Sequence, residues 1–320
     1  MGNLLLQGNA IYSVDGDQVR SYLHPVGKRP SLANLAVFLS YCSPIHDAVI
    51  ARHYRAYCSV RGWHVASRDT RKLIGIVKRV RKRHLASYMK KVFRSRDPFI
   101  VRKTHDYFSV RDRKAWDDEF TAVCNNPRAF VSECNGLHPD NDHSCQLSIN
   151  GQPITLYSAC VSENRLLRRH GIISRRWQNA LRLNLLGIHT PRPIALIEKR
   201  ESSGIWYAFL IVRSCEGILA QDFFASNSVP HYDKDVAAKR IAKAFLAMKQ
   251  TGISVRSVRS TNVLISNLEP IFLDVTQLNQ AIFPNRFGVL KAVREFLQEW
   301  PNDSEASILF CKKFEQLNLI

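Results

Sequence analysis

The chain has 320 residues, and 45% of them are hydrophobic. That length can bury a sizeable core and hold two domains, and that composition excludes wholesale disorder. No stretch approaches the roughly 18 uninterrupted apolar residues of a transmembrane helix, so we expect none. Residues Met1 to Leu6 lack both the basic start and the long apolar run of a secretory signal, so we expect no export signal either.

The net charge of +19 is unevenly distributed. Residues 1–114 hold 23 basic and 7 acidic residues, whereas the remaining residues hold 23 basic and 20 acidic ones. A positive field of this kind favours an anionic partner, such as a lipid surface, lipopolysaccharide phosphates or a nucleic acid. The alternative is a well-solvated basic surface that has no partner.

Eight cysteines are scattered along the chain, and none of them forms a Cys-x-x-Cys pair. Zinc-knuckle spacing is therefore absent. Several cysteines lie in apolar runs, such as Cys160 and Cys311, which predicts small buried apolar side chains. Unpaired cysteines of this kind indicate a reducing compartment, so we expect a cytoplasmic protein.

The first 115 residues are predicted to form a basic, mostly helical region. Residues 31–42 favour a short apolar helix with Ser31 as its N-cap, and residues 45–58 favour a second helix. Residues 70–96 combine many Lys and Arg residues with an apolar stripe at helical spacing. Such a helix can lie in a membrane interface, or it can pack on its own domain with its cations in water.

A change in composition near Trp116 marks the predicted domain boundary. The elements expected after it are strands within 128–160, a basic helix at 164–187, an extended connection at 190–193, and strands at 194–199 and 205–213. Asn-Gly pairs at 135–136 and 150–151 predict hairpin turns, so the strands should form an antiparallel sheet.

The last third is predicted to be mainly helical. Its expected elements are a helix at 234–251 closed by Gly252, a strand–loop–strand at 253–274, and helices at 287–299 and 304–316. Residues 116–320 then form one α+β domain, with a small antiparallel-sheet lobe over about 116–213 and a helical lobe over about 218–320. This is the element order of a protein-kinase-like two-lobe fold, in which ATP lies between the lobes.

The most informative segment begins at Gly252 and ends at Asp274, with the sequence GISVRSVRSTNVLISNLEPIFLD. In kinase-like folds an Asn and an Asp at about the separation of Asn262 and Asp274 hold the metal ions that bridge the ATP phosphates. The catalytic Asp would stand five residues before the Asn, where this chain has Ser257. The alternative is an Asn that caps a loop and an Asp in a turn.

Three stretches in residues 151–300 carry a resemblance to a known family. They are RRWQNALRL followed by LGIHTPRPIALIE, the SCEG of 214–217, and GISVRSVRSTNVLI. They resemble the lipopolysaccharide core kinases of bacteria, the Kdo and heptose kinase superfamily, and within it the branch labelled toluene tolerance proteins. The resemblance does not extend to residues 1–115.

The resemblance implies roles for six residues. Asn262 and Asp274 would hold Mg²⁺, and Ser257 stands at the catalytic Asp position, where a hydroxyl is not a useful base at neutral pH. Glu216, in the hinge-like segment, and Arg256 and Arg259, in the loop, would contact the ATP.

Two further features depart from an active kinase. No Lys occurs between Lys114 and Lys199, so the strand around 154–159 lacks the phosphate-binding lysine. No Asp or Glu occurs between Glu163 and Glu198, so the following helix lacks the acidic partner of that lysine. Arg side chains of that helix could contact phosphate instead, or could face solvent; they are Arg165, Arg168 and Arg169.

These patterns leave three hypotheses. The first is a kinase-like pseudokinase or regulator of the bacterial envelope, peripheral on the inner membrane, with the lipopolysaccharide core or another envelope enzyme as partner. The second is an active atypical kinase of a lipopolysaccharide sugar that uses ATP and Mg²⁺. The third, which we rank below them, is a basic nucleic-acid-binding protein.

Overall fold

The computed structural model describes residues 4–7, 10–13, 24, 26–95, 97–114, 118–132, 143–161, 171–202, 204–280 and 286–320. Contacts divide the chain into an N-terminal unit, Met1–His84, and a C-terminal unit, Leu85–Ile320. None of the helices within these described ranges is long and apolar enough to cross a bilayer.

The N-terminal unit contains a short hairpin followed by helices. Its elements are β1 (Leu4–Gln7), β2 (Ala10–Ser13), α1 (Lys28–Ser40), a 3₁₀ helix (Pro44–Val49), α2 (Ile50–Val60) and α3 (Ser67–Met89), whose last turn lies beyond the unit boundary. Helix α1 begins earlier than expected, because Gly27 is its N-cap and Ser31 lies buried within the helix. Pro30 is compatible with this start, since amides of the first helical turn have no partner within the helix.

Helix α3 carries the apolar stripe for which the sequence left two interpretations open. Leu73 and Val77 are fully buried in a core that α3 shares with α1 and α2. The other buried members of that core are Leu32, Ala36, Leu39, Ile50, Tyr54 and Cys58. This apolar face is therefore packed within its own unit, as the second interpretation expects, and is not available to a membrane interface.

The C-terminal unit begins with an antiparallel sheet and its helices. The strands are β3 (Phe99–Lys103), β4 (Tyr107–Asp112), β5 (His143–Ile149), β6 (Gln152–Val161), β7 (Pro193–Arg200) and β8 (Trp206–Arg213). The helices are α4 (Asp118–Asn125), α5 (Pro127–Ser132) and α6 (Ile172–Leu185). The strands lie side by side in the order β3-β4-β7-β8-β6-β5. The strands expected at 194–199 and 205–213 are thus confirmed as β7 and β8.

The β5–β6 hairpin shows how the local sequence sets the register of the sheet. Asn150 and Gly151 have positive φ angles of 49° and 70°, which a two-residue turn between antiparallel strands requires. Ile149 consequently pairs with Gln152, and the ladder continues along both strands. The hairpin turn predicted at 150–151 is confirmed, whereas the one predicted at 135–136 lies outside the described residues.

The two faces of the sheet are covered by different helices. On one face Leu156 packs in a core with Phe120 and Val123 of α4. On the other face Tyr157 packs beside the core that contains Trp177 of α6. Because side chains alternate along a strand, this packing directs residue 157 towards α6.

Two expectations for this half differ from the structure. The strand expected at the start of 128–160 is instead helix α5, since Pro127 suits a first helical turn and Phe130 packs against the sheet from that helix. The β3–β4 hairpin was not among the expected strands, and it pairs with β7. The sheet therefore includes residues that precede the boundary expected near position 116, and the C-terminal unit begins at Leu85.

The rest of the C-terminal unit is mainly helical. Its elements are β9 (Ile218–Leu219), α7 (Ala220–Ala225), α8 (His231–Thr251), β10 (Ile253–Val255), a 3₁₀ helix (Ser260–Asn262), β11 (Val263–Ser266), β12 (Glu269–Phe272), β13 (Leu278–Gln280), α9 (Arg286–Gln298) and α10 (Glu305–Gln316). Gly252 ends α8 with a φ of 75°, as its position predicts. The helices pack around Phe296, which contacts the rings of Phe245 and Phe310 at centroid distances of 5.7 and 5.0 Å.

The expected α+β class is confirmed, with an antiparallel sheet followed by a helical half. Helix α6 stands between β6 and β7, and a short linker joins β8 to the helical half. This succession is that of a protein-kinase-like fold, and β3–β4 extend its sheet at one edge.

The cysteines are mostly free, as the sequence predicts. The free ones are Cys42, Cys58, Cys124, Cys160, Cys215 and Cys311. Cys124 is buried, and burial raises the pKa of its thiol to about 12. Cys160 is exposed rather than buried, because it lies near the end of β6, on the face of Leu156 but beyond the residues of that core. Cys145 is disulfide-bonded, so the prediction of a fully reduced chain does not hold there.

An ion pair between α8 and α10 predicts how stability changes in acid. Asp235 Oδ1 lies 2.5 Å from Lys313 Nζ, and this hydrogen bond holds the pKa of Asp235 below its usual value. A depressed carboxyl pKa contributes stability above the unfolded value of about 4, and that contribution is lost as the pH falls through the folded pKa. We therefore expect Lys313→Met to destabilise the protein at pH 7 and the difference from wild type to shrink by pH 3.

Urea unfolding at the two pH values measures this difference. Lys239→Met, on the exposed side of α8, is the control, and we expect it to have little effect at either pH. A difference that stays the same or grows towards pH 3 would contradict this assignment.

Candidate functional site

The Asn262 and Asp274 predicted from the sequence lie at the open end of one hairpin. Strand β11 pairs with β12 so that Val263 is opposite Phe272. The amide of Leu273 donates a hydrogen bond of 2.9 Å to the carbonyl of Asn262. The backbone therefore brings the neighbourhood of Asp274 next to Asn262, and both side chains are only half-buried.

The connection between α6 and β7 holds the end of β12 in place. The Thr190 hydroxyl donates to the carbonyl of Phe272 at 2.8 Å, and the Phe272 amide donates to the carbonyl of His189 at 2.9 Å. Thr190 is the first residue of the extended connection that the sequence predicts at 190–193, and His189 directly precedes it. Two consecutive residues before Asp274, Phe272 and Leu273, are thus held by hydrogen bonds to other segments.

Helix α6 holds the residues after Asp274. The buried side-chain amide of Asn179 donates to the carbonyls of Val275 and Leu278, at 2.7 and 2.8 Å. Its oxygen accepts a hydrogen bond of 2.6 Å from Arg182, whose pKa is lowered by burial. One asparagine therefore ties the helix beside the sheet to the segment that follows Asp274.

The carboxylate of Asp274 has two kinds of neighbours. Its Oδ1 accepts hydrogen bonds from the amide and the hydroxyl of Thr276, at 2.9 and 2.6 Å. The same oxygen lies 3.8 Å from Nη2 of Arg176, which extends from α6. The Arg176 side chain is only 11% exposed, whereas that of Asp274 is 29% exposed.

Arg176 also covers the ring of Tyr157. Its guanidinium carbon lies 4.0 Å from the ring centroid, which is a close cation–π contact. Tyr157 belongs to β6, the strand in which the sequence analysis found no phosphate-binding lysine. The next residue of α6, Trp177, is fully buried and contacts Phe99, and this packing fixes the direction in which Arg176 extends.

The loop with Ser257 lies between β10 and the 3₁₀ helix. The amide of Arg256 donates to the carbonyl of Gln277 at 3.1 Å, and the amide of Ser260 donates to the carboxylate of Glu299 at 2.6 Å. Ser257 is half-buried, and in the described part of the chain no acidic side chain hydrogen-bonds its hydroxyl. The side chains of Arg256 and Arg259 are exposed.

The linker with Glu216 follows β8. Ser214 fixes its start, because its amide donates to the carbonyl of Pro153 at 3.0 Å and its hydroxyl lies 2.9 Å from that of Thr155. Glu216 is exposed, and Gly217 packs so closely that a Cβ there would lie 2.5 Å from the carbonyl oxygen of Ile265. The linker is therefore anchored on both sides of Glu216.

The charges of the site fit Mg²⁺ poorly. Mg²⁺ requires oxygen ligands in a near-octahedral arrangement at about 2.0–2.1 Å. Asp274 Oδ1 already accepts two hydrogen bonds from Thr276, and the nearby Arg176 guanidinium opposes a divalent cation at this carboxylate. Within the described ranges no group of three or more His, Cys, Asp or Glu side chains forms a metal site. The assignment of Asn262 and Asp274 as metal ligands stays a prediction.

Comparisons with known proteins add little beyond the fold. No protein-family model matches the chain, and a search of curated proteins finds no match. Among solved structures, WaaP in complex with acyl carrier protein is similar at 13% identity and a TM-score of 0.46, over 64% of this chain and 90% of the matched one. The LegK7 effector kinase of Legionella pneumophila is similar at 9% identity and a TM-score of 0.33, over 51% of this chain and 37% of the matched one. Vaccinia-related kinase 3 is similar at 12% identity and a TM-score of 0.33, over 59% of this chain and 79% of the matched one.

Values this low transfer neither an activity nor a residue's role to this chain. The topology of the C-terminal unit itself defines the class as protein-kinase-like. The sequence analysis missed Arg176, Asn179 and Thr276, and considered instead arginines at 165–169 that lie outside the described residues. The sequence did contain a signal for Arg176 and Asn179. Both lie in the RRWQNALRL motif, and residues three apart on a helix share a face.

Proposed function

We propose that this chain is a kinase-like pseudokinase that binds ATP and transfers its phosphate poorly or not at all. The observation that carries the proposal is the loop at Ser257, the residue that the sequence resemblance aligns with the general base; among the described residues, no acidic side chain hydrogen-bonds its hydroxyl. Loss of a positioned base costs a factor of about 10²–10⁴ in rate. The segment around Asp274 supports ATP binding, because hydrogen bonds from Asn179 and from the α6–β7 connection hold its backbone in one position.

We further propose that the protein acts at the bacterial envelope as a regulator related to the lipopolysaccharide core kinases. The sequence resemblance in residues 151–300 and the basic residues 1–114 support this role. Since the apolar face of α3 is packed within its unit, contact with an anionic membrane surface or lipopolysaccharide core would be electrostatic. Binding of that kind weakens as salt screens the charges.

Thermal unfolding with ATP and a phosphate-transfer assay together test the proposed function. We expect ATP to raise the Tm, since a ligand at 100 times its Kd adds about 2.7 kcal/mol to the stability of the folded state. With labelled ATP and lipopolysaccharide core oligosaccharide, we expect no transfer above that of Asp274→Ala. Glu315→Gln, an exposed carboxylate on α10, is the control for loss of one negative charge.

Each result distinguishes between the hypotheses. Transfer that Asp274→Ala abolishes and Glu315→Gln retains would show an active atypical sugar kinase. If ATP did not raise the Tm, the proposal that the protein binds nucleotide would be wrong. Flotation with anionic and neutral liposomes tests the envelope role, and binding to nucleic acid without binding to anionic liposomes would favour the third hypothesis.

A further inference from the structure

Helix α1 exposes apolar side chains near its C-terminal end. Val37, Phe38 and the C-cap Tyr41 are 43%, 45% and 56% exposed, and their spacing places them on one side of the helix. We call these three residues the α1 patch. No charged residue occurs between Arg29 and His46, although a surface helix normally carries charges on its solvent side. A contiguous exposed apolar patch of this kind is typical of an interaction site.

Helix α3 carries cations along its exposed side. Exposed Lys and Arg residues occur there in pairs that follow one another at spacings of seven and four residues, so they line one face. They are Arg71 with Lys72, Lys78 with Arg79, and Lys82 with Arg83. Asp69 is the only acidic residue of α3, and it forms an ion pair of 2.6 Å with Lys28. The exposed face of α3 therefore has a positive field that favours an anionic partner.

Contacts at the end of α1 place the α1 patch beside these cations. The ring of Tyr41 lies 4.9 Å from that of His84, and the hydroxyl of Ser40 lies 3.3 Å from Nδ1 of the same imidazole. His84 directly follows Lys82 and Arg83 in α3. The α1 patch and the last pair of cations thus adjoin each other within the N-terminal unit.

The surface of an anionic lipid bilayer has the chemistry that matches both features. Aromatic and aliphatic side chains enter the boundary between headgroups and acyl chains, whereas Lys and Arg keep their charges at the phosphates. A nucleic acid would also attract the cations, since its phosphates dominate binding of that kind. Its backbone would leave the aliphatic Val37 without an apolar partner, so the combination of the two features favours lipid.

We propose that the α1 patch and the exposed cations of α3 form a docking surface for an anionic lipid bilayer, with Val37 and Phe38 inserted below the headgroups. This inference rests on the proposed function, since it names the surface through which the protein would meet the envelope. The cations of α3 supply the electrostatic attraction, which salt screens. The α1 patch adds an apolar contribution to that attraction, and salt does not screen it.

Cosedimentation of the full chain with phosphatidylcholine vesicles, with and without phosphatidylglycerol, tests the inference at about 0.1 and 0.5 M NaCl. We expect the wild type to bind the anionic vesicles at least about tenfold more tightly than the neutral ones. Lys82→Gln with Arg83→Gln should weaken this binding by at least about tenfold at the lower salt and by less at the higher salt. Val37→Ser with Phe38→Ser should weaken it by about tenfold at both salt concentrations, because the lost contribution is apolar.

Matched controls remove the same chemical groups from other surfaces. Val60→Ser removes an exposed apolar side chain at the end of α2, and Lys239→Gln with Lys312→Gln removes two exposed cations of the C-terminal unit. We expect both controls to bind anionic vesicles within about twofold of the wild type, since isolated surface residues away from the contact contribute little. Controls that weaken binding as much as the test variants would mean that no particular surface docks, and would overturn the inference.

A tryptophan placed in the α1 patch reports insertion directly. Lipids brominated on their acyl chains quench a tryptophan that lies among those chains. We expect Phe38→Trp to lose a larger fraction of its fluorescence than the wild type in anionic vesicles, and the two proteins to behave alike in neutral ones. Equal quenching in the anionic vesicles would show that position 38 stays outside the bilayer, against the inference.

The remaining outcomes separate this inference from the proposed function. If Val37→Ser with Phe38→Ser bound anionic vesicles as well as the wild type, the docking surface would be wrong and the envelope role would stand. If the wild type bound no anionic vesicles, or bound only nucleic acid, both would be wrong. A wild-type dimer that the same double variant dissociates would place a second copy of the chain on the α1 patch and would overturn the inference alone.

Discussion

Replacement of Asn179 by leucine is expected to lower the free energy of unfolding of the C-terminal unit by about 3 kcal/mol or more. The leucine keeps the volume of the side chain but removes two hydrogen bonds to the carbonyls of Val275 and Leu278 and one from Arg182. Each buried group that loses its partner costs about 1–3 kcal/mol. Arg182 is the most affected of the three, because its buried charge loses an acceptor.

Urea unfolding with a tryptophan signal measures this loss, since Trp177 lies two residues from the mutated position. Asn184→Leu is the matched control, because Asn184 is exposed on the same helix, and we expect a change within about 0.5 kcal/mol. Loss of these bonds also frees the segment after Asp274, so ATP binding should weaken as well. Equal effects of the two variants would show that the asparagine does not hold this segment.

Local signals in the sequence were sufficient to predict the elements that end at residues favouring a positive φ. Gly252 ended α8, and Asn150 with Gly151 turned the β5–β6 hairpin, because each position needs a positive φ that few residues adopt. The misassigned elements lack such signals. Helix α5 is a six-residue helix whose apolar residues fit a strand equally well. The β3–β4 hairpin is short, mixes apolar with charged residues, and has β3 at the edge of the sheet.

The site could be predicted only where it is formed by residues close in sequence. Asn262 and Asp274 belong to one hairpin, so their separation along the chain is enough to place them together. Arg176 meets Asp274 through the packing of α6 against the sheet, across almost a hundred positions, and no local pattern encodes that meeting. The sequence analysis therefore found that the phosphate-binding lysine and the catalytic base are absent, but it did not find that Arg176 lies against β6.

A different buried pair fixes the N-terminal unit, and its disruption should have the largest effect on stability there. Both oxygens of Asp47 accept hydrogen bonds from the guanidinium of Arg81, at 2.9 and 2.8 Å, and Arg81 also donates to the carbonyl of Cys42. Both side chains are less than a tenth exposed. This arginine is held inside the unit, so it does not contribute to the basic surface that would meet an anionic partner.

Asp47→Asn is expected to destabilise the N-terminal unit by about 3–5 kcal/mol, because it leaves the buried Arg81 charge without compensation. Removal of both charges in Asp47→Leu with Arg81→Met should cost much less, since no unpaired charge then remains. Hydrogen exchange of the α1 and α2 amides measures the stability of this unit separately from the rest of the chain. Asp69→Asn is the control, because the side chains of the Lys28–Asp69 pair are 37% and 24% exposed, far more than those of Asp47 and Arg81, and the pair should contribute less. If the double variant were as unstable as Asp47→Asn, the cost would come from altered packing rather than from an unpaired buried charge.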